Sequence, residues 1–246
     1  MTDRINEKNT AQNAVKPELK KLALGAETVL VAIDGPAGSG KSSVAKASAA
    51  LLGYGTLDTG AAYRALTLHL MQQGVDAACE AAVLEALAAV EIDLPFAATY
   101  PVRLNGTDVS AQIRTAEVTS RVSKITGYAS VRAALNERFR RRVATSQIAG
   151  VVIEGRDITS VVAPDAPVRI ILTADAAVRA ARRQGELSHL SVAQVQADLL
   201  VRDAKDMQNV DFMNPLPGVE LIDTSEMNFA QAVAAVVQCV RAKLAG

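Results

Sequence analysis

The sequence predicts an α/β fold built on a parallel sheet with helices on both sides. Three observations carry this. Residues 28–33, 151–153 and 168–172 are strand-like runs rich in Val, Ile and Leu, as strands buried on both faces require. Stretches of helical period alternate with such runs, the pattern of a doubly wound parallel sheet with right-handed crossovers. A glycine-rich turn joins the first run to the first helix.

Each element follows in order. Strand 28–33 passes through that turn into a helix from Lys41 to about residue 52. A short strand at 54–57 precedes helical patterns at about 60–73 and 76–90. Residues 92–96 and 101–104 read as strands, and Asn105-Gly106 is a hairpin signal, since both residues tolerate positive φ. This hairpin breaks the β–α alternation and reads as a small inserted subdomain. Helices are expected at about 115–126 and 129–148, then strands at 151–153 and 168–172. Helices at about 175–184 and 191–207, a strand at 219–222 and a helix at about 228–244 complete the chain. Five strands thus make the parallel sheet: 28–33, 54–57, 151–153, 168–172 and 219–222. Residues 1–27 are charged, with little apolar periodicity, and are expected to form a flexible N-terminal extension to a domain spanning 28–246.

Composition narrows the function. Lys+Arg and Asp+Glu both number 26 in 246 residues, so the chain lacks the basic excess of a general nucleic-acid binder. Aromatics are 3% and Trp is absent, leaving few platforms on which bases could stack. No apolar run reaches the ~18 residues that suggest a membrane span. Two Cys and two His give neither a disulfide framework nor metal-ligand spacing. A reducing, cytoplasmic compartment fits. Cys79 and Cys239, on Ala-rich helical stretches, are expected to pack as small apolar groups. His69 and His189 have no visible partner for base or metal work.

Gly35-Pro36-Ala37-Gly38-Ser39-Gly40-Lys41-Ser42 matches G-x-x-x-x-G-K-[ST] in full, between a buried strand and a helix. The glycines let backbone N–H groups turn inward, and the helix start adds its positive end. Lys41 can reach β- and γ-phosphates, and Ser42 can place its hydroxyl on Mg²⁺. The chain is therefore expected to adopt the three-layer P-loop NTPase fold and bind a nucleoside triphosphate.

Ligands of open parallel sheets sit beyond the carboxyl ends of the strands. There the sequence places Asp58-Thr59-Gly60-Ala61-Ala62-Tyr63-Arg64, Glu154-Gly155-Arg156-Asp157 and Asp223-Thr224-Ser225. Arg64 and Arg156 could fork onto an anionic acceptor, or form ion pairs with a nearby Asp. Asp58 and Asp157 could equally cap helices. Residues 178–209 hold Arg179, Arg182, Arg183, Arg202 and Lys205 on two helical patterns. That reads as a short helical lid, or as a solvated basic face balanced by Asp198, Asp203 and Asp206. The run Arg138, Arg140, Arg141 and Arg142 reads first as a solvated face.

Several motifs in order resemble the bacterial cytidylate kinases, nucleoside monophosphate kinases of the P-loop class. They are the phosphate loop with Ile33-Asp34 before it, Leu57-Asp58-Thr59-Gly60, Ile113-Arg114-Thr115, Val131-Arg132, Glu154-Gly155-Arg156-Asp157-Ile158, Ala163-Pro164-Asp165, Arg202-Asp203 with Asp206, and Ile222-Asp223-Thr224. The resemblance runs from about Val29 to about Leu244. It implies Mg²⁺-dependent transfer of the ATP γ-phosphoryl group to CMP or dCMP. It implies a monophosphate-binding insert at about 86–125 and a lid at about 182–202. Gly35, Pro36, Ala37, Gly38, Ser39, Gly40, Lys41, Ser42 and Ser43 would bind ATP, with Ser42 toward the metal. Thr59, Tyr63, Arg64, Ser123, Arg132, Arg156, Asp157, Arg202 and Asp206 would bind the acceptor. Lys41, Arg156, Arg202 and Arg182 or Arg183 would serve catalysis. The implied partners are the small nucleotides ATP, CMP and dCMP, with no nucleic acid or membrane, for a cytoplasmic monomer. Asn209 stands where the family carries Arg, and Thr159 where it carries Gly. The loop after Arg183 is also shorter than the family's. Asn209 and this shortened lid motivate one alternative, a P-loop kinase of another small acceptor, and the altered lid motivates a second, an ATP-binding regulatory relative with little catalysis.

Overall fold

A computed structural model of the protein describes residues 28–97, 100–185, 191–208 and 210–245. The expected N-terminal extension, His189 and Asn209 lie outside the described residues. The parallel sheet has five strands: β1 (Val29–Asp34), β2 (Gly55–Asp58), β6 (Gly150–Gly155), β7 (Val168–Thr173) and β8 (Glu220–Asp223), in the order β2-β6-β1-β7-β8. The glycine-rich turn thus leaves the central strand.

Side-chain alternation along the strands builds three layers. Leu30, Ala32, Val151 and Ile153 face one core, with α2 (Thr59–Gln73), α3 (Glu80–Ala89), α4 (Ala116–Thr126) and α5 (Ala129–Ala144). Val31, Ile33, Val152, Val168, Ile170 and Leu172 face the other, with α1 (Lys41–Leu52) and α8 (Phe229–Ala245). Most of these strand side chains are wholly buried, which explains why their sequence reads as continuous apolar runs. Between β7 and β8 lie α6 (Ala176–Gln184) and α7 (Val192–Met207).

The insert between α3 and α4 is a three-stranded antiparallel sheet: β3 (Ile92–Asp93), β4 (Arg103–Leu104) and β5 (Thr107–Asp108). Asn105 at φ 48° and Gly106 at φ 80° turn β4 into β5, as the hairpin signal predicts. The strands are shorter than expected. Pro95 and Pro101 lie in the segments 92–96 and 101–104, and proline cannot donate to a ladder. α3 begins at Glu80 rather than 76, because Asp76 forms a turn, accepting from the Ala78 N–H at 2.9 Å and the Cys79 N–H at 3.0 Å. α5 stops at Ala144, where the Thr145 hydroxyl donates back to the Arg141 carbonyl at 3.0 Å.

Two sequence readings are corrected. Cys79 does not pack in a core; it is exposed, at the cap of α3. The arginine run of α5 is only in part a solvated face: Arg141 and Arg142 are exposed, while Arg138 and Arg140 are half-buried. Arg138 donates to the Leu87 and Val90 carbonyls, Arg140 to Val161 and Val162, and Arg142 to Leu94. Three of the four arginines therefore satisfy orphan carbonyls of neighbouring segments. Arg141 alone of the four is paired along its own helix, with Glu137.

Candidate active site

A cleft of about 360 Å³ opens over the carboxyl ends of β1, β2 and β6. The phosphate loop forms one wall. Gly35 lies directly under Leu172: a Cβ there would come within 2.1 Å of the Leu172 carbonyl oxygen, at a φ of +152°. Only glycine lets β1 turn at that point. Ala37, Gly38, Gly40, Lys41, Ser42 and Ser43 line the cleft, while Gly35, Pro36 and Ser39 lie buried in the loop's support.

Lys41 and Glu154 form the electrostatic centre of this wall. Lys41 is 8% exposed and Glu154 is 4% exposed. Burial, reinforced by the Arg156 charge, lowers the Lys41 ammonium to about 7. Burial, reinforced by Asp58, raises the Glu154 carboxyl to about 7. The Ser42 hydroxyl donates to Glu154 Oε1 at 2.6 Å. Glu154 is a site residue that no role was assigned from sequence, although its place directly after a central strand is the signal that exposes it.

Four of the guanidinium groups that line the cleft cluster as an arginine wall: Arg64, Arg156, Arg183 and Arg202. Burial lowers Arg202 to about 10, with further depression from Arg156, Arg64 and Arg183. Arg64 is lowered by burial, and neighbouring arginines add to that. Arginine stays charged under such shifts, so the cleft concentrates positive charge. Arg156 forms the ion pair that the sequence left open. Its Nε lies 3.1 Å from Asp206 Oδ2, its Nη1 donates to the Gly35 carbonyl at 2.8 Å, and its guanidinium carbon stands 5.2 Å over the Phe212 ring. Phe212 has no sequence signal that would single it out. Arg64 donates to Thr119 Oγ1 at 2.6 Å, tying it to α4.

The other expected residues divide. Thr59 lines the cleft and its hydroxyl donates to the Glu154 carbonyl at 2.8 Å. Tyr63 also lines it; burial and Asp157 push its phenol well above its ordinary value. Arg132 lines the cleft and donates to the Thr126 and Gly127 carbonyls. Asp157 is 8% exposed and is held by the Asn136 amide at 3.4 Å. Burial, then the neighbouring Asp34, raises its carboxyl. It does not cap the π-helical turn Ile158–Val162 with its side chain, unlike Asp58, whose Oδ1 accepts from the Ala61 N–H at 3.0 Å at the start of α2. Asp206 is paired with Arg156, and Arg202 stands 4.0 Å from it. Ser123 is half-buried and does not line the cleft; α4 contributes Val122 and Thr126 instead. Arg182 lines it, but its guanidinium grips the segment after β8, donating to Thr224 Oγ1, the Thr224 carbonyl at 2.7 Å and the Met227 carbonyl at 3.1 Å. Of the two alternatives for a lid arginine, Arg183 is the one that joins the cluster around Arg64 and Arg202.

Among the described residues, no group of three or more His, Cys, Asp or Glu could hold a metal, and no helix is long and apolar enough to cross a membrane.

The Cytidylate kinase family model matches residues 31–242. A cytidylate kinase of Streptomyces avermitilis is 43% identical over 221 residues, covering 88% of this chain and 94% of that protein. The cytidylate kinase of Lactiplantibacillus plantarum is 40% identical over 223 residues, covering 88% and 96%. TT1252 from Thermus thermophilus shares the fold, with a TM-score of 0.50 at 16% identity over 89% of this chain and all of that one. With the phosphate loop, the Glu-Gly-Arg-Asp edge and the arginine wall in one cleft, and matches that run nearly the length of the domain, the chain belongs to the cytidylate kinase family.

Proposed function

We propose that the protein transfers the γ-phosphoryl group of Mg·ATP to CMP or dCMP, giving ADP and CDP or dCDP. The observation that carries this is the arginine wall: Arg64, Arg156, Arg183 and Arg202 line the same cleft as the phosphate loop. An acceptor that is itself a phosphate needs such a wall, because two anions must approach. The acceptor oxygen is already anionic, so no strong general base is required. Its attack forms a new P–O bond as the bond to the ADP leaving oxygen breaks. Lys41 balances charge on the transferring group, and Arg156, Arg183 and Arg202 hold the oxygens that receive it. Thr59, Tyr63, Arg64, Arg132, Asp157 and Asp206 supply the acceptor pocket. Asp157 reads a polar edge of the base in this proposal, a role supported by its burial and its hydrogen bond from Asn136.

The residues fit a magnesium ion. Glu154 is a buried carboxylate 2.6 Å from the Ser42 hydroxyl, and a dication there supplies the counter-charge that burial withholds. Ser42 and Glu154 would hold it. When bound, the ion neutralises charge between the β- and γ-phosphates. A cytoplasmic monomer is part of the same proposal.

Coupled ADP release with Mg·ATP against CMP, dCMP, UMP, AMP and GMP tests this. Preference for CMP and dCMP is expected. Turnover of none, with ATP still bound, would make the protein a nucleotide-binding regulator, and turnover of another acceptor would move it to a different small substrate.

A further inference from the structure

A third small core lies apart from the sheet. Ala37 of the phosphate loop packs with Ala180 of α6 and with Val195 and Leu199 of α7. The approach is close: a Cβ on Gly38 would stand 3.1 Å from the Arg179 carbonyl oxygen and 3.3 Å from a Leu199 methyl. Beside this cluster a buried ion pair joins Arg179 of α6 to Asp203 of α7, side chains 6% and 9% exposed. Both partners also grip the backbone of one loop residue. Arg179 Nη1 donates to the Ala37 carbonyl at 2.8 Å, and the Ala37 N–H donates to Asp203 Oδ1 at 3.0 Å. Arg179 Nε donates to the Ala174 carbonyl at 3.1 Å.

Stability alone does not account for this arrangement. Replacing a buried ion pair by apolar residues of similar volume is often neutral or stabilising. Apolar residues cannot hold both the N–H and the carbonyl of a loop residue. Asp203 also sits on α7 between Arg202 and Asp206, which line the cleft.

We propose that Arg179 and Asp203 are positioning residues that tie the Ala37 backbone to the helix carrying Arg202 and Asp206, so that a nucleotide on the phosphate loop strengthens acceptor binding. This rests on the reading that the loop takes the donor and that Arg202 faces the acceptor. The coupling is reciprocal, with acceptor binding strengthening the donor by the same factor.

Calorimetry of CMP binding with and without saturating Mg·ADP, a pair that does not react, measures the coupling directly. Wild type is expected to bind CMP about fivefold or more tightly with ADP present, the lower end of ordinary coupling. The double variant Arg179→Met/Asp203→Leu is expected to unfold at a lower temperature than wild type, because three backbone groups lose their partners, while in the folded protein the tightening falls below about twofold. Arg179→Lys keeps the charge but not the planar fork that reaches Ala37, Ala174 and Asp203 together, and is expected to lose most of the tightening as well. Should the double variant fail to fold, Arg179→Lys decides the matter. A folded variant with full tightening overturns the proposal, as does a wild type that binds both nucleotides without tightening. A wild type that binds ADP but not CMP overturns the acceptor reading itself, and the proposal with it.

Discussion

Lys41 and Glu154 are buried charges in one cleft that act on each other electrostatically. Each is buried, and each is displaced toward neutrality, Lys41 down to about 7 and Glu154 up to about 7. The linkage has a definite sign. Glu154 binds its proton more tightly folded than unfolded, so its contribution is present below about pH 4.5 and lost as pH rises through about 7. Lys41 binds its proton less tightly folded, so its contribution is present above about pH 10.5 and lost as pH falls through about 7. This pair is therefore expected to lower nucleotide-free stability near neutral pH relative to both sides. Urea titrations across pH check it: Glu154→Gln should flatten the acidic limb and Lys41→Met the alkaline one. Unchanged limbs in both variants would mean that the pair does not carry the pH dependence. Lys41→Met should also cut turnover by about 10²–10³, the scale for losing a donor to developing charge, with no loss of thermal stability. Near-normal turnover would sink the assigned mechanism.

At the scale of elements, α5 does more than its sequence suggests. Its arginines at 138, 140 and 142 bind carbonyls of α3, of the π-helical turn and of the insert. Removing either of the first two leaves part-buried carbonyls unpaired, about 1–3 kcal/mol each. Arg141→Ala, which loses only an exposed pair, should cost under about 1 kcal/mol. Chemical denaturation of the three alanine variants orders them, and equal losses would contradict the capping role. Arg140 has a second consequence. The turn it holds follows Asp157 and is clamped from the other side by Asp34, which accepts from the N–H groups of Ile158 and Thr159 at 2.9 and 2.7 Å and from the Thr159 hydroxyl at 2.7 Å. The Thr159 hydroxyl thus supplies a third donor to a buried carboxylate. Arg140→Ala is accordingly expected to raise the KM for CMP several-fold more than Arg138→Ala does; an equal effect on both would detach Asp157 from the turn's support.

Across the whole molecule, net charge is zero while one cleft is lined by Lys41, Lys46 and seven arginines against Asp58, Glu154, Asp157 and Asp206. A local positive field on a neutral protein draws anions to the site without binding polyanions generally. Ionic strength is expected to weaken CMP binding several-fold between about 50 and 500 mM salt, as the Debye length shortens to a few ångströms. Cytidine, which lacks the phosphate, should show little salt dependence. Calorimetry at three salt concentrations compares them, and parallel losses for both ligands would place the arginines outside the acceptor contact.

What the sequence determined by itself is whatever depends on local pattern. Runs buried on both faces mark β1, β6 and β7, because a central parallel strand hides both sets of side chains. The phosphate loop declares itself through glycines that its turns require, and Asn105-Gly106 through the positive φ that its hairpin needs. The order of the motifs identifies the family. What only the tertiary structure decided is which charges meet. Arg182 and Arg183 are neighbours in sequence, yet one grips Thr224 and Met227 while the other joins the arginine wall. The α5 arginines read as a solvated face because their partners are carbonyls, which leave no trace in side-chain identity. Glu154 comes to Ser42 only through the pairing of β6 with β1, and Phe212 comes beneath Arg156 from a segment with no regular pattern. Hydrophobic period is a property of neighbouring residues and can be read along the chain. Electrostatic pairing joins residues a hundred positions apart, and only the packed fold brings them within reach.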